Sequence, residues 1–272
     1  MTRFAGQVAL ITGASAGIGA ALAREFARQG ADLALLARRH DRLAALSTEI
    51  ERQGRRALVL AADVAVDGDV ERAVAAARVA FGRLDVVVAN AGFGVVGPVE
   101  SLTLDDYRRQ FETNVFGVLR TVQASLEALK ASRGRLAIVG SVAGYIATPG
   151  ASPYSMSKFA VRGLAQALGY ELAPAGVSVT LVTPGYVESE IRRVDNTGVF
   201  RAESREPIPA WLVMPAPRAA RQIVRAIAHR RREVVITGHG KVGVFVQRHA
   251  PWLIAATVRL AGLKARPEPV RR

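Results

Sequence analysis

The sequence predicts an α/β fold: a doubly wound parallel sheet of about seven strands, helices on both faces, in one domain over residues 1–272. Three observations predict it. Short, continuously apolar runs alternate with helix-length segments, the pattern of strands buried on both faces. A glycine-rich turn joins the first apolar run to the first helix. Polar and reactive side chains collect just after the runs, at the sheet edge where open α/β sheets bind ligands.

The first run, Gln7 to Thr12, feeds Gly13-Ala14-Ser15-Ala16-Gly17-Ile18-Gly19, then a helix from Ala20 to Gln29 closed by Gly30. Strand, glycine turn and helix make a dinucleotide-binding entry. Gly13 permits the tight turn, Gly17 lets the backbone approach a pyrophosphate, and Gly19 allows close helix–strand packing. The phosphates would sit on the helix N-terminus. The second run, Ala31 to Ala37, ends in Arg38-Arg39. An NAD-selective site would place an acid there for the ribose 2′-OH, whereas two guanidinium groups suit a 2′-phosphate. NADP is therefore the expected cofactor, with NAD as the alternative.

His40 to Gly54 reads as an amphipathic helix and Arg56 to Ala62 as the third strand, ending in Asp63-Val64. Asp63 is expected to accept from an adenine amino group or to cap the helix over Asp67 to Phe81. Leu84 to Ala89 is the fourth strand, followed by Asn90-Ala91-Gly92, small residues that leave room for a cofactor beside an amide that can brace the backbone. The helix from Leu104 to Leu129 carries Asn114 in mid-course, where asparagine competes for backbone groups. Asn114 is either a satisfied core amide or a holder of water. Ser141 follows the fifth strand, Leu136 to Gly140.

Pro153 opens the next helix, which runs to Ala173 and places Tyr154 and Lys158 four apart on one face. A phenol titrates at about 10 and is a poor proton carrier at neutral pH. A lysine ammonium held close lowers that value and suits the tyrosine to acid–base work. Val177 to Thr183 is a further strand, closed by Pro184-Gly185.

Thr12-Gly13-Ala14-Ser15-Ala16-Gly17-Ile18-Gly19, Asp63, Asn90-Ala91-Gly92, Asn114, Ser141, Tyr154-x-x-x-Lys158 and Pro184-Gly185 stand in one order along residues 7 to about 190. In that set the chain resembles the short-chain dehydrogenase/reductases, the single-domain branch of Rossmann-like fold. Ala89 stands where the family often has a second asparagine, and Ser189 where threonine is common. The resemblance implies NADP-dependent hydride transfer between a nicotinamide and a carbonyl or secondary alcohol. Tyr154 would be the general acid or base, and Ser141 would hold the reacting oxygen. Lys158 would hold the nicotinamide ribose and depress the tyrosine, and Asn114 would hold a relay water. Cofactor contacts would come from Gly13, Ser15, Gly17, Ile18, Gly19, Arg38, Arg39, Asp63, Val64, Asn90, Ala91, Gly92, Tyr154, Lys158, Pro184, Gly185, Val187 and Ser189. A homodimer or homotetramer acting on a small-molecule carbonyl or alcohol is expected. A catalytically silent NADP-binding or scaffolding protein is the alternative, and such proteins usually lose the tyrosine or lysine kept here.

Residues 4–187 thus form the dinucleotide-binding and catalytic core. Residues 188–217 are irregular, with Pro207, Pro209, Pro215 and Pro217 breaking helices among Phe200, Ile208, Trp211, Leu212 and Met214. They read as a lid over a fairly apolar substrate or as a loop packed by its own side chains. Residues 218–272 form a basic segment, with a helix from Arg218 to Arg232 and a last strand from Glu233 to Thr237. From Ala216 onward there are thirteen Lys/Arg against two acids, so most of the formal charge of +14 lies at this end. Lys241 to Leu263 mixes Val242, Val244, Phe245, Val246, Trp252, Leu253 and Ile254 with basic residues, is divided at Pro251, and precedes Lys264, Arg266, Arg271 and Arg272. Such a segment suits an anionic membrane surface, the domain itself or a neighbouring subunit. No nucleic-acid-reading motif accompanies it. No run reaches the ~18 apolar residues of a membrane span, no leader precedes the first strand, and no cysteine supplies disulfides or thiolate ligands. A cytoplasmic protein, peripheral to a membrane if the basic end docks there, is expected.

Overall fold

The computed structural model describes residues 2–204, 206 and 208–260. Seven parallel strands form one sheet in the order β3-β2-β1-β4-β5-β6-β7. They are β1 (Val8–Thr12), β2 (Asp32–Ala37), β3 (Ala57–Ala61), β4 (Val86–Ala89), β5 (Arg135–Val139), β6 (Ser178–Thr183) and β7 (Glu233–Val235). Chain order reverses between β1 and β4, the switch point at which such sheets open a crevice. The register pairs Thr12 with Leu36, Ile11 with Val88, Ala89 with Ile138, Val139 with Val182 and Thr183 with Val235. The carboxyl ends therefore lie along one edge, and the residues that follow them share it.

Period-two alternation divides the core. Ala9, Ile11, Leu33 and Leu35 face one layer, and Val8, Leu10, Ala34 and Leu36 the other. The first layer holds α1 (Gly17–Arg28), α2 (His40–Glu51) and α7 (Ala216–Ala228). The second holds α3 (Asp69–Phe81), α5 (Gly117–Ser132) and α6 (Ser152–Glu171). Helix α7 is the expected basic helix, but it starts at Ala216 and stops at Ala228. It buries Ala219, Ala220, Ile223, Val224 and Ile227 and turns Arg218, Arg221 and Arg225 outward.

Two local departures from the sequence expectation matter for the site. Helix α1 begins at Gly17, three residues early, so the third glycine lies inside the helix rather than before it. The expected helix over 104–129 is α4 (Leu104–Phe111), a π-turn (Glu112–Phe116) and α5. Asn114 sits in that π-turn, where the widened ladder aims an inward side chain that a regular helix would aim differently.

At the C-terminal end, α8 (Gly238–His249) is fastened to the domain and α9 (Pro251–Leu260) is mostly exposed. Thr237 caps α8 by accepting from Gly240 N, and Val244 is buried. Arg248 donates to Glu233 at 2.7 Å, and Tyr145 donates to the other oxygen of that carboxylate. Among the described residues no helix is long and apolar enough to cross a membrane. Lys264, Arg266, Arg271 and Arg272 lie outside the described residues, as do Arg205 and Pro207 of the expected lid.

Candidate active site and cofactor cleft

At the end of β1, Gly13 and Gly17 take left-handed backbone conformations, with φ of +68° and +52°. Gly19 has an ordinary φ but no room for a side chain. A Cβ there would stand 2.2 Å from Gly13 O and 2.7 Å from Asn90 Nδ2. Asn90 is the brace of this corner: Nδ2 donates to Thr12 O at 2.9 Å and to Gly13 O at 3.3 Å. Thr12 Oγ1 in turn accepts from Asn90 N and Ala91 N, each at 3.0 Å. Helix α1 then starts from Ala16 with no capping side chain and no acid in its first turn. Its first N–H groups and positive dipole end therefore lack an internal anion, which fits a pyrophosphate.

The arginines after β2 lie beside this turn. Arg39 donates to Ser15 Oγ through Nη2 at 3.0 Å and Nε at 3.3 Å, and through Nη1 to Glu190 at 2.8 Å. Arg42, one turn further along α2, donates to the other Glu190 oxygen at 2.5 Å. Arg38 donates to Gly198 O at 3.1 Å and stands 3.8 Å from Asp63. Asp63 accepts from Ala65 N at 3.0 Å within its own turn, and Gly68 flanks the start of α3, so Asp63 is not that helix's cap. Val64 is buried against Gly117, and Ile18 packs on the first core layer.

Ser141, Tyr154 and Lys158 converge after β5. Ser141 accepts from Ala143 N at 3.1 Å, capping a short turn, and hydrogen-bonds the Tyr154 side chain. Burial pushes the Tyr154 phenol above its ordinary value, against smaller downward pulls from the Ser141 hydrogen bond and the Arg192 guanidinium. Lys158, 5% exposed, donates to Val139 O at 2.9 Å and stands 5.7 Å from the Tyr154 ring centre. Burial lowers its own pKa to about 8. Tyr154 is therefore raised rather than lowered, because its own desolvation outweighs those downward pulls; Lys158, anchored at Val139 O, is itself desolvated.

Asn114 is fully buried. Its Nδ2 donates to Phe93 O at 3.0 Å and Ser157 Oγ at 3.1 Å, and its Oδ1 accepts from Phe93 N at 3.0 Å. Both amide hydrogens are used; one lone pair of Oδ1 remains. A Cβ on Gly92 would lie 3.0 Å from that oxygen and 3.8 Å from Lys158 Nζ, so the glycine keeps open the space between them.

After β6, buried Pro184 accepts from Val142 N at 2.9 Å, which ties the last expected turn to the Ser141 segment. Gly185 is confined by Thr237 and His239, and Tyr186 N donates to His239 Nε2 at 3.1 Å. Val187 is buried and bridges to Met214, while Ser189 lies over Gly17. The segment onward is cross-tied. Val194 bridges Phe200, and Asn196 exchanges hydrogen bonds with the backbone of Val96. Trp211, one of the expected apolar lid residues, is 82% exposed.

The expected site residues lie along this edge, with the side chains of Val64 and Ile18 packed inward and their backbone at the turns. Apart from a local signal at Arg42, which follows Arg39 by three residues in a first helical turn, nothing in the sequence points to the contacts that Thr12, Arg42, Ser157, Glu190 and Arg192 make here.

A family model described as short chain dehydrogenase matches residues 7–199. Oxidoreductase UcpA of Salmonella typhimurium is 39% identical over 191 residues, covering 70% of this chain and 72% of that protein. A solved short chain dehydrogenase from Burkholderia cenocepacia in complex with NADP superposes with a TM-score of 0.78 at 32% identity, covering 88% of this chain and 99% of its own. A short chain dehydrogenase/reductase from Burkholderia phymatum in complex with NAD gives 0.78 at 26% identity, with full coverage of both chains.

Proposed function

The chain belongs to the short-chain dehydrogenases, and from that premise we propose that it is an NADP(H)-dependent oxidoreductase acting on a carbonyl or secondary alcohol. The observation that carries this reading is the convergence of Ser141, Tyr154 and Lys158 beside a glycine turn flanked by Arg38 and Arg39. When bound, the nicotinamide supplies or accepts the hydride. Tyr154 gives a proton to the substrate oxygen in reduction and takes it in oxidation. Ser141 hydrogen-bonds the same oxygen and stabilises its developing charge. Lys158 and Tyr154 hold the nicotinamide ribose, and Asn114 offers its remaining lone pair to a water on the Lys158 side.

Gly13, Gly17 and the N-terminus of α1 are assigned the pyrophosphate, with Ile18 and Gly19 supporting the turn. Asp63 and Val64 are assigned the adenine side, and Asn90, Ala91 and Gly92 the passage beneath the cofactor. Pro184, Gly185, Val187 and Ser189 are assigned the nicotinamide end. Ser15, Arg38 and Arg39 favour NADP over NAD, because a phosphate takes bidentate, charge-assisted contacts from guanidinium groups. Residues 4–187 serve as core and 188–217 as the segment over the substrate. A homodimer or homotetramer is proposed on family membership.

Assay of NADPH and NADH consumption across ketones, aldehydes, steroids, sugars and acyl ketones tests the reading. NADPH oxidation with at least one carbonyl class, faster than with NADH, is expected. Absence of turnover and of nucleotide binding together would remove it.

The C-terminal surface supports a separate proposal, peripheral contact with an anionic bilayer. Helix α9 exposes Trp252, Leu253 and Leu260, and α8 exposes Val242 and Phe245 next to Lys241. The excess of positive charge from Ala216 onward supplies the complement to lipid phosphate. Pelleting with anionic liposomes should be strong for the full chain, reduced by salt, and lost on removal of residues 241–272. Equal pelleting of the truncated chain would overturn the assignment.

A further inference from the structure

Glu190 occupies the place at which the NADP reading expects an external anion. Its Oε2 accepts from Arg39 Nη1 at 2.8 Å and its Oε1 from Arg42 Nη1 at 2.5 Å. The Nε–Nη2 edge of Arg39 is turned to Ser15 Oγ. Burial raises the Glu190 carboxyl, but hydrogen bonds from Arg42 and Arg39 prevail and hold it below the ordinary carboxylate range. The carboxylate is therefore ionised at neutral pH and held by both guanidinium groups.

Glu190 also lies at the end of a short strap. Glu188 accepts from Ala216 N at 3.2 Å, at the start of α7. Ser189 comes so close to Gly17 that a Cβ on the glycine would lie 2.9 Å from the serine Cβ. Three successive residues thus engage α7, the glycine turn and the arginines. The strap itself lines one side of a cavity of about 730 Å³, with Arg193 and Arg221 and the ion-paired Arg28 and Glu25 on its other walls. Glu190 already borders this space, so a released carboxylate can swing into it, towards Arg193 and Arg221, without repacking of the core.

We propose that Glu190 is a determinant of cofactor affinity and selectivity: an internal carboxylate that holds Arg39 and Arg42 until a ribose 2′-phosphate displaces it. This rests on the dinucleotide-binding reading above. A carboxylate and a phosphate use the same in-plane donors of a guanidinium, so the Nη1 hydrogens now on Glu190 cannot serve both in this geometry. The internal anion competes without losing translational freedom. A nucleotide lacking the 2′-phosphate has no reason to disturb the pair. Arg42, three residues beyond Arg39, becomes a second phosphate ligand once Glu190 leaves.

Calorimetric titration with 2′,5′-ADP and with 5′-ADP, using the full chain and its Glu190→Gln variant, tests the proposal. The variant should bind 2′,5′-ADP about tenfold more tightly, the scale of a partly exposed double ion pair. Its affinity for 5′-ADP should stay within about twofold, which also shows that the variant is folded. Three results would overturn the proposal while leaving nucleotide binding intact: unchanged 2′,5′-ADP affinity, weaker 2′,5′-ADP affinity (Glu190 then merely positions the arginines), or equal tightening of both ligands. Binding of neither ligand to either protein would overturn the dinucleotide reading itself, and this proposal with it.

Discussion

Tyr154→Phe is expected to lower turnover by ~10²–10⁴ in either direction while leaving NADP binding within a few-fold of the wild type. The reason is local. Phenylalanine keeps the ring that lies against Gly94, where a Cβ would stand 3.5 Å from Tyr154 Cδ2, and loses only the hydroxyl that Ser141 hydrogen-bonds. Thermal stability should hardly change, and cofactor affinity can be read by fluorescence titration. The wild-type pH profile should be asymmetric. Because burial raises the phenol, Tyr154 stays protonated through neutral and mildly alkaline pH, so reduction is supported there. Oxidation needs the phenolate and should climb as pH rises. Retention of activity by the phenylalanine variant would remove Tyr154 from the chemistry.

Lys158→Met should abolish turnover and at the same time make the folded chain more stable at pH 7. The ammonium is buried with one acceptor, Val139 O, and its pKa falls from 10.5 to about 8. A shift of that size is an order of 3 kcal/mol against folding at neutral pH. Methionine fills the space but leaves Val139 O without its donor, a loss of about 1 kcal/mol, so a net gain of about 2 kcal/mol is expected. The sign follows from proton binding. Between pH 8 and 10.5 the unfolded chain binds more protons than the folded one at this residue, so wild-type stability rises with pH across that window. Denaturant unfolding at pH 7 and pH 10 should show the variant's advantage shrinking with pH. A variant less stable than wild type at pH 7 would mean that the ammonium is a net stabiliser.

Much of this site was legible in the sequence because its parts are local. Continuous apolar runs located the strands, and the residues after them were bound to share the carboxyl edge once the strands ran parallel. The glycine turn announced itself through spacing, although its third glycine proved to be needed against Gly13 O and Asn90 inside the helix. Asn114 is an unfavourable residue in the interior of a regular helix, and the structure has a π-turn there. Its two readings were not separable by sequence, because the partners of its amide, Phe93 and Ser157, come from other elements.

The basic C-terminal end shows the opposite case. Composition groups residues 218–272 as one segment, yet among the described residues α7 is core on one face, α8 is held by Val244 and the Arg248–Glu233–Tyr145 cluster, and α9 is largely uncovered. Arginine content says nothing about which face of a helix is buried.

The sequence by itself determined the parallel α/β sheet, the glycine turn after its first strand, the arginine-bearing strand end and the residue types proposed for catalysis. These follow from hydrophobic period, backbone conformational demand and short fixed spacings. The tertiary structure alone decided the direction in which Tyr154 is tuned, the anchoring of Lys158 at Val139, and the closure of Arg39 and Arg42 on Glu190. Desolvation depends on what surrounds a group from every side. An ion pair between residues 39 and 190 depends on where two distant segments meet. Neither quantity is carried by the neighbours of a residue in the chain.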